Sequence, residues 1–250
     1  MQASVPSRPG GSAYDGPVQV IMPSFLDISA SDPSQPQQRT LAIHRALRHR
    51  ICTNRYPPGE MLSEEALARE FEVSRSPIRR VLARLEQEGL IEILHGVGSR
   101  VTRISPEMLA SAYDARMAIA VASAPFMRIN DPDAILAALA DAKQQFRALA
   151  AGDVGGFADV NTAYYDALTE LISNHVLREI LRSLFFQTSR TWLMGLPRMD
   201  WALTIDRICW ELDELRRALD VRDAEAVGLL MRNHVFESRR RLVEALDSID

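Results

Sequence analysis

The chain has 250 residues, 47% of them hydrophobic and 25% charged, with a formal net charge of −4. That length can hold two domains, and that composition excludes a wholly disordered, collagenous or disulfide-stapled chain. Cys52 and Cys209 are the only cysteines; they form no CxxC site and read as buried free thiols of a reducing compartment. No run of 18 apolar residues offers a membrane span, and the opening residues lack the basic-then-apolar layout of a secretory signal. A cytoplasmic protein is expected.

Charge is unevenly spread. Residues 39–103 carry 12 Arg and 8 Glu, a net of +4, whereas residues 104–250 carry 16 basic and 22 acidic residues, a net of −6. Lys143 is the only lysine, and arginine forms planar forks to phosphate and guanine, although genome composition biases arginine use equally well.

Residues 1–37 are rich in Pro, Gly, Ser and Gln and read as a disordered tail, too poor in apolar surface to offset the entropy of ordering. The first helix is expected to open at Thr40 as N-cap, with Leu41, Ala42, Ala46, Leu47 and Ile51 as its apolar stripe, and to stop at Tyr56-Pro57-Pro58-Gly59. Ser63 caps a second helix, with Leu67 and Phe71 facing inward. Glu72-Val73-Ser74 is a turn, and a third helix runs from Arg75 to Glu88, ended by Gly89. Leu90–Leu94 and Arg100–Arg103 read as strands of a small hairpin with a Gly-rich tip at 95–99. Beyond Ser105 the pattern is helical throughout, in six segments near 106–129, 132–150, 154–173, 175–194, 201–220 and 223–247, with His175 at a helix start. Trp192, Trp201 and Trp210 read as core or helix packing. The expected class is mainly α. A winged helix-turn-helix (three helices plus a small β-wing, 38–103) is joined to an all-helical antiparallel bundle of about six helices (104–250).

Within the third helix Ile78, Val81, Leu82 and Leu85 make the buried stripe. Ser74, Arg75, Ser76, Arg79 and Arg80 gather polar and basic groups at its N-terminal end. A recognition helix places those positions on base edges, where arginine can hold guanine with two hydrogen bonds. The plainer alternative is a solvated arginine face; the preceding helix-turn and the following wing favour DNA.

Pro58-Gly59, Leu62-Ser63-Glu64, Leu67-Ala68, Val73-Ser74-Arg75, Pro77-Ile78-Arg79, Leu82, Leu85 and Glu88-Gly89-Leu90-Ile91 closely resemble the winged helix-turn-helix of GntR-type bacterial transcription regulators. The resemblance implies DNA contacts by Arg75 and Arg79, with Ser74 and Ser76 beside them, and minor-groove entry by a wing tip at His95 and Gly96. Three positions depart from the usual pattern: Glu65 replaces a DNA-contacting Arg of some members, Arg80 replaces a common Glu, and Val97 replaces a common wing Arg. The helical half resembles the FCD effector domain, as in the FadR-like subfamily, at Tyr113-Asp114-Ala115-Arg116, at Tyr164 through Asn174 and at Ala218 through His234. Many FCD domains hold a divalent metal with one Asp and three His. The corresponding positions here are Asn161, Tyr165, Leu212 and His234, so no cofactor or metal site is expected. A one-turn shift using Asp159, Asp166 or Asp213 is the alternative.

What the resemblance implies is a non-enzyme: a ligand-responsive transcription regulator, commonly a repressor. It would bind a pseudo-palindromic double-stranded operator as a homodimer. Arg116, Asn161, Tyr165 and His234 would contact a small-molecule effector, and Arg116 suits a carboxylate. Arg116 could instead lie at the surface or pair with Asp114 or Glu107, and His234 could be a satisfied core histidine. The competing functions are a helical-bundle metal or small-molecule enzyme with an accessory winged helix, and a winged helix used only for protein contacts. No Walker loop, GxGxxG or nucleophile elbow favours the enzyme.

Overall fold

The computed structural model describes residues 35–94 and 96–247. Of the expected disordered tail, residues 1–34 lie outside the described residues, as does the wing-tip residue His95, whereas residues 35–37 belong to the first helix.

The first helix, α1, spans Gln35–Cys52, so it is already helical six residues before the Leu41 start that a Thr40 cap implies. Thr40 is an interior residue whose hydroxyl donates to the Pro36 carbonyl at 2.8 Å. A threonine can bond back to the preceding turn as readily as it can cap, so its presence alone does not mark a helix start. Ser63 does cap α2 (Glu64–Glu70), accepting from the Ala66 amide, and Glu64 and Glu65 in the first turn favour the positive helix end. The turn into α3 (Arg75–Gln87) passes through Glu72 at φ +52°. Arg39 of α1 ties that turn down by donating to the Phe71 and Glu72 carbonyls. Ile78, Val81, Leu82 and Leu85 of α3 are all buried against α1 and α2.

Gly89 follows α3 at φ +71°, and the chain then enters the wing. Two strands were legible; the sheet has three. β1 (Met61–Leu62) pairs with β3 (Gly98–Val101), which pairs with β2 (Ile91–Leu94), all antiparallel. The last strand sits two residues earlier than the sequence suggested, because Val101 pairs with Ile91 and fixes the register.

The remaining helices are α4 (Pro106–Ala122), α5 (Asp133–Ala148), α6 (Val154–Glu170), α7 (His175–Gly195), α8 (Trp201–Asp220) and α9 (Ala224–Asp247). Ser105, Asp153, Asn174 and Asp200 cap α4, α6, α7 and α8 with side-chain oxygens. The fourth helix stops at Ala122 rather than near 129, since Pro125 cannot continue it and a 3-10 turn over Ala124–Phe126 takes its place. Phe157 is central to the bundle core, 5.1 Å from both the Phe146 and the Trp192 rings and 6.0 Å from Trp201. Trp210 departs from the expected packing: it is 61% exposed. α4 crosses α9 closely at Gly228, where a Cβ would meet the Ala120 carbonyl oxygen at 3.2 Å.

One helix belongs to both cores. Phe185 and Phe186 of α7, with Tyr165 of α6, are buried in the same apolar cluster as Leu47, Ile51 and Leu85 of the winged helix. Arg48 of α1 lies over the Phe186 ring at 3.8 Å. Gln187 donates to the Glu88 carbonyl at 3.3 Å, and Arg190 donates to the Thr102 carbonyl at 2.9 Å. Truncating such a side chain leaves a cavity on both sides of the junction. Phe186→Ala is expected to lower unfolding free energy by about 3–5 kcal/mol, read from urea denaturation.

Candidate nucleic-acid interface and effector cavity

The start of α3 is presented to solvent. Ser74, Arg75, Ser76, Arg79 and Arg80 are all exposed, while the opposite face of the same helix is sealed in the core. Ser74 stands at the N-cap position without a side-chain capping bond, so its hydroxyl is not committed to the helix. The Arg75 and Arg79 side chains remain 57% and 66% exposed while pairing with acidic neighbours on α2. Arg75 Nη2 lies 2.9 Å from Glu65 Oε2, and Arg79 Nε lies 2.8 Å from Glu64 Oε2. Exposed pairs of this kind are worth about 0.2–1 kcal/mol, so a phosphate or guanine can displace the carboxylate at little cost. Gly96 turns the wing tip at φ +75° with open space around its Cβ position. Cross-strand pairing of Arg100 with Glu92 at 2.7 Å stiffens the wing behind it.

The helical half encloses a cavity of about 100 Å³ among α4, α6, α7, α8 and α9. Arg116, Tyr165 and His234 line it; Asn161 does not. Asn161 instead borders an adjoining void of about 20 Å³, to whose wall Arg116 and His234 also contribute. The four residues are therefore close neighbours divided between two connected walls.

Arg116 is 4% exposed. Its Nη1 donates to the Thr188 hydroxyl at 2.7 Å, and its guanidinium carbon lies 5.3 Å from the Tyr165 ring and 5.2 Å from the Phe185 ring. The surface placement and both alternative partners fall away. Asp114 pairs with Arg239 at 2.7 Å, and Glu107 hydrogen-bonds with Ser105. Nε and Nη2 of Arg116 are buried without a hydrogen-bond partner. Tyr165 donates its hydroxyl to the Leu181 carbonyl at 3.2 Å, and burial pushes its phenol upward against the pull of Arg116.

His234 is not a solitary core histidine: its Nδ1 lies 2.6 Å from Glu211 Oε2. Burial drives the Glu211 carboxyl upward, but the His234 charge and hydrogen bond, aided by Arg241 and Arg207, leave it below its ordinary value. Glu211, Thr188 and Arg241 are the site residues that sequence reasoning missed. Nothing in the periodicity distinguishes Glu211 from its solvated neighbours on α8.

The positions that the resemblance pairs with the family's metal ligands are poor in free donor atoms. Leu212 has no donor atom, Tyr165 is a neutral phenol engaged with backbone, and His234 holds Glu211. The shifted set fares no better, since Asp159, Asp166 and Asp213 each face a cationic or histidine partner: His49, Arg182 and Lys143. Among the described residues no group of three His, Cys, Asp or Glu gathers into a ligand set.

Residues 39–101 match the family described as bacterial regulatory proteins, gntR family, and residues 111–237 match the FCD domain. The chain belongs to the GntR family. Within that family, it is 30% identical over 143 residues to an uncharacterized HTH-type transcriptional regulator of Agrobacterium vitis from the TAR-I ttuE-ttuC' intergenic region, covering 56% of this chain and 84% of that protein. It is 26% identical over 208 residues to the HTH-type transcriptional repressor RspR of Escherichia coli K12, covering 82% and 89% respectively. The solved structure of E. coli McbR/YncC shares the fold, with a TM-score of 0.67 at 18% identity over 82% of this chain and 97% of that one. The protein is thus a GntR-family, DNA-binding transcription regulator with an FCD domain.

A depressed carboxyl stabilises the fold above its ordinary value of 4.5 and loses that contribution as pH falls through the lower, folded value. Glu211→Gln in this GntR protein should therefore lose less stability than the wild type on acidification from pH 5.5 to 3.5, as read from urea midpoints at the two pH values.

Proposed function

We propose that this GntR regulator is a ligand-responsive repressor. It binds a pseudo-palindromic operator as a homodimer and senses a small anionic molecule in its helical domain without a family-type metal. The observation that carries the reading is the polar tip of α3: Ser74, Arg75, Ser76, Arg79 and Arg80 exposed on a helix whose other face is wholly buried. Arginine at such positions can read guanine or hold phosphate, and the wing at Gly96 extends the footprint toward the minor groove. The basic surplus on residues 39–103 and the acidic surplus beyond would orient the reader toward a polyanion.

A single reader buries too little surface for specific binding, so two are required. Exposed apolar residues support a second copy as the partner. Leu203 and Trp210 recur at a seven-residue spacing on α8, as do Leu229, Phe236 and Val243 on α9, and each is 44–61% exposed. Such stripes on neighbouring helices suit an isologous contact.

α7 supports a route from cavity to DNA. Thr188 receives Arg116 inside the bundle, while Phe186, Gln187 and Arg190 of the same helix grip the reader. An anion that reseats Arg116 would bias α7, and with it the placement of the two readers, as a population shift.

Binding to a selected operator, followed by fluorescence anisotropy at 50 and 200 mM salt, tests the reading. A steep loss of affinity with salt is expected. Arg79→Ala should cost about 1–3 kcal/mol if it reads a base. Glu64→Gln should tighten binding at 50 mM salt by removing a competing carboxylate, with the gain shrinking at 200 mM. Salt-independent binding, or full affinity in Arg79→Ala, would defeat the assignment. Phe236→Glu is expected to dissociate the dimer, read from light-scattering mass after size exclusion.

A further inference from the structure

We propose that the cavity selects a compact, apolar-bodied molecule bearing a single oxyanion, such as an aryl or short-chain monocarboxylate, held directly by the Nε–Nη2 edge of Arg116. The proposal rests on the effector-sensing reading above and narrows its ligand.

The argument starts from the two orphan donors. Nε and Nη2 share one edge of the guanidinium, the edge that forms two parallel hydrogen bonds with a carboxylate. Nη1, on the far side, is already spent on Thr188. Arg116 is thus held by the Thr188 hydroxyl, by interaction with the Tyr165 hydroxyl, and by the Tyr165 and Phe185 rings, which themselves stack at 4.1 Å and 9°. The free fork is buried and forms no ion pair with any described residue. A buried guanidinium without a counter-charge is unfavourable, and an oxyanion docked on its fork removes that cost.

The rest of the wall sets the body of the ligand. Ala120, Leu168, Leu181, Ile208, Leu212 and Leu215 face the cavity. Leu212 occupies a position at which the family's metal ligand would stand, so a donor has become a hydrocarbon surface. The polar groups on the wall are few, Tyr164, Asn233 and Glu237 beside the mutually engaged His234 and Glu211, so a polyhydroxylated acid would bury most of its hydroxyls against hydrocarbon, which is disfavoured. Glu211, carrying the negative charge that His234 secures, is a second element of selection because it repels a second anionic group. The volume, about 100 Å³, is somewhat below the roughly 150 Å³ of an apolar cavity known to admit benzene. A short chain is therefore the size that fits as the cavity stands, and a single ring requires the wall to give way.

Hexanoate and gluconate test this directly, since they share chain length and charge and differ in hydroxyls; benzoate probes the ring. The full-length protein, dialysed against EDTA, is titrated with each by calorimetry and thermal shift at constant ionic strength. Benzoate or hexanoate should bind at least tenfold more tightly than gluconate, and added Zn or Ni should change neither. Arg116→Met should abolish that binding and Arg116→Lys, which lacks the fork, should weaken it at least tenfold. Ligand-free Arg116→Met should melt no lower than the wild type, because it removes an unpaired buried charge. If Arg116→Met does not fold, the Arg116→Lys titration decides alone. Equal or preferred binding of gluconate, binding that needs metal, unchanged affinity in Arg116→Lys, or no binding of any probe would overturn the proposal. Retained operator binding in those cases would leave the regulator reading standing; loss of operator binding by the wild type would instead defeat that reading.

Discussion

The architecture depends on α7 being packed into two hydrophobic cores at once. Its Leu181, Trp192 and Leu193 belong to the bundle, while Phe185 and Phe186 complete the core of the winged helix. A domain boundary normally carries few apolar contacts, and relative motion is then the default. Here the boundary is crossed by buried aromatic rings, and polar bonds from Gln187 to Glu88 and from Arg190 to Thr102 fix the angle. Displacing α7 by a fraction of an ångström must therefore be felt at Glu88 and Thr102, which flank the β2–β3 wing on its two sides. Close packing makes such a junction bistable more readily than compliant.

The same helix explains why Arg116 is consequential. An arginine buried in a helical bundle is normally matched by a carboxylate, as Arg241 is by Glu211 at 3.9 Å. Arg116 is matched by a hydroxyl and two aromatic faces, which orient the guanidinium without neutralising it. Preorganisation of that kind lowers the ordering cost for any anion that arrives. The anchoring hydroxyl belongs to α7, so any reseating of Arg116 would act on the helix that is packed against the winged helix.

Much of this was legible beforehand, for identifiable reasons. The α3 stripe of Ile78, Val81, Leu82 and Leu85 has helical spacing and is buried as written. Ser63, Ser105 and Asn174 behave as caps because each stands before an apolar-periodic run. Thr40 misled because α1 continues upstream through polar residues that no periodicity marks. β1 is two residues long, too short for alternation to register, and it exists only because β3 offers it a partner. The cavity was half visible. Arg116, Tyr165 and His234 came from the family resemblance, whereas Glu211 was hidden beside Leu212, the position the comparison singled out. Both line the same space, because the cavity wraps around that part of α8. The junction could not be read at all: Phe185 and Phe186 look like any buried pair until the partner core is in place.

The pairs on the DNA-facing side add a constraint on how such a reader would engage its target. Glu64 and Glu65 do double duty, favouring the N-terminus of α2 and receiving Arg79 and Arg75. In the absence of nucleic acid they hold both arginines close to the exposed start of α3. If these arginines contact DNA, each would exchange a carboxylate for a phosphate or a guanine edge, so the electrostatic gain would be a difference between two pairings. The exchange leaves two acidic groups beside the polyanion, which penalises loosely seated complexes more than ones in which the forks are fully used. Non-specific binding relies on phosphate charge alone, whereas specific binding adds directional hydrogen bonds to bases. Acidic partners on α2 would thus subtract from the first more than from the second, and would raise discrimination at the expense of raw affinity.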